Sequence, residues 1–101
     1  MDGSLTATVL ASGFVVTIPN KTTVYEATPM DTLVRGTFVM PSSPMNGQHQ
    51  VIGTTQTIVE LIVNANAGQT IQAGMNGATL SANTSIEWVW SSQNHCWYRI
   101  R

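Results

Sequence analysis

The sequence predicts an all-β fold, an antiparallel β-sandwich of jelly-roll-like form that associates as a homotrimer. Three observations carry this expectation. Val, Ile and Thr recur in short runs, and no segment keeps apolar residues at i, i+3, i+4 and i+7 over three turns, so helix signals are nearly absent. Turn residues punctuate the runs every eight to twelve positions or so, the spacing of a sandwich or jelly roll. Several runs carry aliphatics on both faces, whereas a sheet in a two-sheet sandwich buries only one face of each strand. A second face that is also apolar calls for cover, and closed homo-oligomers are the common solution.

In chain order, strands are expected at residues 5–10, 13–18, 22–27, 33–40, 48–53, 58–63, 70–72, 78–80, 85–90 and 96–100. Breakers separate them: Ala11-Ser12-Gly13, Pro19-Asn20, Pro29, Pro41-Ser42-Ser43-Pro44, Asn46-Gly47, Gly68, Asn76-Gly77 and Asn83. The first 21 residues read as N-terminal strands or an attachment arm, because they hold no aromatic but Phe14 and end at a Pro-Asn break; residues 22–101 read as the sandwich itself. No repeat, heptad or low-complexity linker is visible.

The runs 58–63, Val15-Val16 and Leu33-Val34 are the doubly apolar ones. Strict alternation leaves two candidate interface faces on the sixth run, Val59 with Leu61 or Ile58 with Ile62. In the closing hairpin, Trp90 is expected opposite Cys96. That register sets Trp88 against Tyr98, Ile86 against Ile100 and Glu87 against Arg99, and it turns Trp97 to the outer face as a further interface candidate. Trp88, Trp90 and Tyr98 would then anchor the core. In the N-terminal segment, Leu5, Val9, Phe14, Val16 and Ile18 are the apolar anchors expected to attach the chain to a partner, with Thr6-Ala7-Thr8 able to add along a sheet edge.

Composition narrows the function. With 101 residues the chain is one domain, and only four Lys/Arg and five Asp/Glu leave an unusually neutral surface of Thr, Ser, Asn and Gln. Such a surface can meet another protein without desolvating charge, as a subunit does. Net charge is −1 with no basic cluster, so neither nucleic acid nor an anionic membrane is an expected partner. Apolar runs are too short for a spanning helix, and the start Met1-Asp2-Gly3-Ser4 lacks the basic residues of a signal peptide, so synthesis in the cytoplasm is expected. The lone Cys96 reads as a small buried hydrophobe.

Chemistry-bearing clusters are sparse. His49 and His95 lie far apart with only Cys96 near the second, which is no metal-ligand spacing, and the carboxylates Asp2, Glu26, Asp31, Glu60 and Glu87 stand singly. No Gly-x-Ser-x-Gly elbow occurs. The expectation is therefore no catalytic residue, no metal and no cofactor.

Three segments together resemble a known architecture: Met40-Pro41-Ser42-Ser43-Pro44-Met45-Asn46-Gly47-Gln48, then Leu61-Ile62-Val63-Asn64-Ala65-Asn66-Ala67-Gly68-Gln69-Thr70-Ile71, then Trp97-Tyr98-Arg99-Ile100. Their order is similar to that of the trimeric β-sandwich tips of bacteriophage tail fibres and tail spikes, over about residues 33–101. Gly47 and Gly68 suit tight turns with positive φ, and Pro41 and Pro44 stiffen a connection that cannot join a ladder. The tip-like region starts near residue 33 with no shaft ahead of it. A free-standing copy resembles small phage capsid cement, or decoration, proteins. The resemblance implies a virion structural role on the capsid surface, with the major capsid protein and other copies of the chain as partners. The alternative it implies is a fibre or spike tip that recognises a host surface glycan through loops 64–68 and 91–95.

Overall fold

A computed structural model describes residues 5–101, and these form ten strands and no helix. In order they are β1 (Leu5–Thr8), β2 (Phe14–Thr17), β3 (Val24–Ala27), β4 (Leu33–Val39), β5 (His49–Thr54), β6 (Ile58–Asn64), β7 (Thr70–Ile71), β8 (Asn76–Leu80), β9 (Thr84–Ser91) and β10 (Cys96–Arg99). All ten lie where β-branched and aromatic runs between breakers place them, and the all-β class holds.

The connectivity differs from an antiparallel jelly roll. A six-stranded sheet runs β1-β3-β5-β9-β10-β7 and a four-stranded sheet runs β2-β4-β6-β8. Odd strands of the first half thus fall in one sheet and even strands in the other. β1, β3 and β5 stack in parallel, as do β2, β4 and β6. The chain therefore winds as a solenoid-like coil, crossing between the sheets at every turn. Antiparallel pairing is confined to the C-terminal end, where β9 covers β5, β10 pairs with β9, and β8 covers β6.

Residue 21 marks a corner of this coil. Lys21 takes a left-handed conformation, φ 69°, where the chain turns from β2 into β3 after Pro19. β1 and β2 add to the same two sheets as the strands that follow, so residues 5–21 form the first described coil of one continuous structure.

The core lies between the sheets. Phe38 sits edge-on to Phe14 at 5.0 Å and to Tyr25 at 5.2 Å, and Trp90 meets Trp97 at 5.3 Å. Phe14 reaches its place because β4 carries Gly36 beside it: a Cβ there would stand 2.0 Å from the Phe14 ring. Ile52, Ile58, Leu61, Met40 and Trp88 complete the interior. Burial on this scale supplies most of the driving force for a domain of this size.

Two local irregularities decide which side chains face out. In β4 and β6 the inward positions are Leu33 and Gly36, and Ile58 and Leu61, three residues apart where strict alternation demands two. The extra residue is accommodated side by side in both strands, where Arg35 is in register with Glu60, and β6 shows the shift against β8 as a bulge. In the closing hairpin the pairs are Ser91 with Cys96, Trp90 with Trp97, Val89 with Tyr98 and Trp88 with Arg99. This is one residue away from the register that alternation suggests. The cause is a four-residue turn, 92–95, which His95 closes at φ 50°.

Candidate functional site

On the outer face of the four-stranded sheet, exposed aliphatics are interspersed with Thr and Asn. Val15, Thr37 and Ile62 lie in one row across β2, β4 and β6, with Thr17, Val39 and Asn64 in a second. Val15, Val34 and Val59 are 72%, 63% and 43% exposed, unusual values for aliphatics in mid-strand. The only charges on these three strands are Arg35 and Glu60, and they pair with each other at 3.4 Å. A face of this kind can be covered without stranding an uncompensated charge.

The structure divides the expected interface residues. Val59 and Ile62 lie on this outer face, Ile62 half-buried. Ile58, Leu61 and Trp97 are each 0% exposed and belong to the chain's own core. For Ile58 and Leu61 the matched bulge is the reason, since it turns both inward along with Val63. For Trp97 the reason is the hairpin register, which brings it onto the inner face with Trp88 and Trp90 and leaves Tyr98 half-buried on the other side. Trp97 Nε1 donates to Gln69 Oε1 at 3.0 Å, so the indole is satisfied where it is. Val15 and Val34 were not among the sequence-based interface candidates. Their signal was the doubly apolar pairs Val15-Val16 and Leu33-Val34, each with one member inward and one outward.

The N-terminal anchors divide likewise. Leu5 and Val9 are exposed, Phe14 and Val16 are half-buried against the core, and Ile18 is fully buried. Only the first two are largely exposed. Val9 lines a groove of about 390 Å³ with Leu10, Met30, Asp31 and Leu33, at the corner where β1 turns into β2.

A second feature is an open cavity of about 280 Å³, with a mixed polar and apolar lining, where three loops meet. Ser42 and Ser43 come from the Pro-rich turn, Ala67, Gly68 and Gln69 from the loop before β7, and Ser92 and His95 from the hairpin, with Trp90 at its base. The residues behind it are tied down. Gln69 Nε2 donates to the Pro41 carbonyl at 2.8 Å, Asn66 Nδ2 to the Met40 carbonyl at 3.0 Å, and Trp90 Nε1 to Ser92 Oγ at 3.1 Å. Gly68, at φ 78°, makes the turn that brings this loop over the cavity. Loops 64–68 and 91–95 thus line one cavity, joined by the Ser42-Ser43 turn.

The third feature is an ionic cluster at the C-terminus. Glu87 on β9 accepts from Arg101 Nε at 2.8 Å and contacts His49 Nδ1 on β5 at 2.6 Å. The hydrogen bond from the Arg101 guanidinium holds its carboxyl below the usual carboxylate range, against the opposing pull of burial and with a smaller contribution from His49. Arg99 stacks over the Trp88 ring at 5.2 Å and donates to the Ala73 carbonyl. This cluster clamps the C-terminal residues onto β5 and β9. Among the described residues no three His, Cys, Asp or Glu side chains come together.

A scan against protein-family models finds no match, and a search of curated proteins finds none either.

Proposed function

We propose that the chain is a virion structural protein, a phage capsid cement subunit that self-associates as a homotrimer and binds the assembled head shell. The self-neutralised outer face of β2, β4 and β6, with its exposed aliphatics, supports this most directly. A sheet face with Val15, Val34, Val59 and Ile62 on it fits a second identical face, and three such faces can close around a three-fold axis. The sequence resemblance supplies the trimer and the capsid. The remainder of the surface, rich in Thr, Ser, Asn and Gln, suits contact with the major capsid protein without desolvation of charge. Cementing follows from linkage: a ligand that binds only the assembled shell stabilises it by mass action, and three linked attachments multiply a weak one. Heating virions with and without the protein tests this. Earlier DNA release in its absence is the expected result, and equal release temperatures would overturn the reading.

The loop cavity favours a second reading, a fibre or spike tip that recognises a host glycan. Its lining of Ser, Gln and His side chains over an indole matches the polar-plus-aromatic character a neutral sugar requires. Immuno-gold labelling separates the two: label over the whole shell supports cement, and label confined to the tail supports the tip.

A further inference from the structure

The two ends of the coil are treated differently by the sequence. At the C-terminal end the four-stranded sheet stops at β8, which is bulged against β6 and carries Gly77 at φ 87°, and the six-stranded sheet stops at β7, only two residues long. Short strands and bulges are the ordinary means of blunting an edge. At the other end, among the described residues, both sheets stop on the first coil, at β1 and β2. These strands read Leu-Thr-Ala-Thr and Phe-Val-Val-Thr, with no charge, no proline and no bulge.

Their unpaired backbone groups can be assigned. Thr8 accepts from the Thr28 N–H and Ile18 donates to the Val39 carbonyl, so these residues address the neighbouring strand inside the sheet. Successive residues of a strand address opposite sides, which turns the N–H and C=O of Ala7, and of Val15 and Thr17, to the open side. Between the two open edges lie Leu10, Phe14 and Val16, packed on the core but only half-buried.

We propose that this open end pairs edge to edge with the open end of a second copy of the chain. A two-fold axis across the end sets β1 antiparallel to β1 of the copy and β2 antiparallel to its β2, so each four-residue strand meets one of its own length. Because neither strand bears a charge, the copy presents neutral against neutral, and no like-charge pair opposes the contact. The same step covers the half-buried Leu10, Phe14 and Val16 from both sides. This surface is distinct from the outer sheet face of the proposed trimer, so end pairing doubles the particle whatever holds it together laterally.

The test is the particle mass by light scattering of the intact protein and of Ala7→Pro/Thr17→Pro. Proline at these outward-facing positions blocks an added strand yet removes no N–H from the existing ladder. The expected result is a mass about half that of the wild type, with the near-ultraviolet signal of the tryptophans unchanged. Amide exchange of the wild type gives an independent reading, with the Ala7 and Thr17 N–H groups protected in the paired particle. An unchanged mass, or rapid exchange at both amides in the wild-type particle, overturns the proposal. Protection of these amides only after shell protein is added would also overturn it, by assigning the edge to the shell. A variant that unfolds returns the decision to the exchange experiment. Loss of the lateral trimer alone leaves this result unaffected.

Discussion

The N-terminal half and the C-terminal third are both built of short β-strands, yet one stacks in parallel and the other pairs mainly antiparallel. In the coil, β1 to β6 alternate between sheets, and each strand adds beside the strand two before it. In the cap, β8 and β9 reverse direction against the last coil and β10 against β9, while the two-residue β7 lies parallel to β10. Reversal matters because a parallel stack can always accept another rung, whereas antiparallel strands that end in a two-residue strand and a bulge cannot propagate. The cap also concentrates the large aromatics. Trp88, Trp90 and Trp97 plug the end of the core, while the coil relies on Phe14, Tyr25, Phe38 and aliphatics.

The largest effect is expected in the cap. Trp97→Ala removes a fully buried indole and the Gln69 bond, and large-to-small changes of this kind cost about 3–5 kcal/mol. In a domain whose whole stability is of order 5–15 kcal/mol, urea unfolding should show the midpoint falling by a large fraction. A change confined to a few tenths of a kcal/mol would mean that the cap is not integral to the core.

The coil is probed by Gly36→Ala. The added methyl would overlap the Phe14 ring, so Phe14 must leave its place against Phe38, at a cost of about 1–3 kcal/mol. Combining this change with Phe14→Leu, which withdraws the ring, should recover part of the loss. Simple additivity in a double-mutant cycle would contradict the contact.

Much of this contrast was hidden in the sequence, for identifiable reasons. Strand positions were legible because Val, Ile, Thr and aromatic runs alternate with Gly, Pro and Asn. Strand direction was not, because a short turn looks alike whether the chain doubles back or crosses to the other sheet. The repeat was masked too. Leu5 stacks on Val24 and Val24 on Val51, so successive coils differ in length and no period appears. The doubly apolar β6 pointed to a second aliphatic face, and the bulge shared with β4 decided which residues turn outward. Ile58 and Leu61 therefore went inward together. The hairpin register turned on one residue, His95, whose left-handed conformation no propensity demands. The loop cavity was legible in part: loops 64–68 and 91–95 were identifiable, whereas the Ser42-Ser43 contribution depends on how the coil closes.

A smaller effect concerns the clamp between coil and cap. The Glu87 carboxyl binds its proton less tightly in the folded protein than at its ordinary value of 4.5. In acid the unfolded chain therefore takes up more protons. The clamp's contribution is full above that ordinary value and is lost as pH falls through the lower, folded one. Glu87→Gln should cost about 1 kcal/mol near neutral pH and flatten the acid limb of a stability profile. A parallel profile for the variant would show that Glu87 is not responsible. The smallest effect on the single chain is expected from Val59→Asp, since an exposed position changes stability by about 0.5 kcal/mol or less.

That same position bears on the central claim, that the outer face of β2, β4 and β6 holds copies of the chain together. Sedimentation equilibrium of the wild type beside Val15→Asp/Val59→Asp is the direct measurement. The account predicts a wild-type mass of three chains, or a multiple of three once the coil ends pair. It also predicts that the variant has lost the three-fold association while keeping its circular dichroism. A wild type that sediments as a single chain at every concentration would contradict it, as would a variant that remains assembled like the wild type.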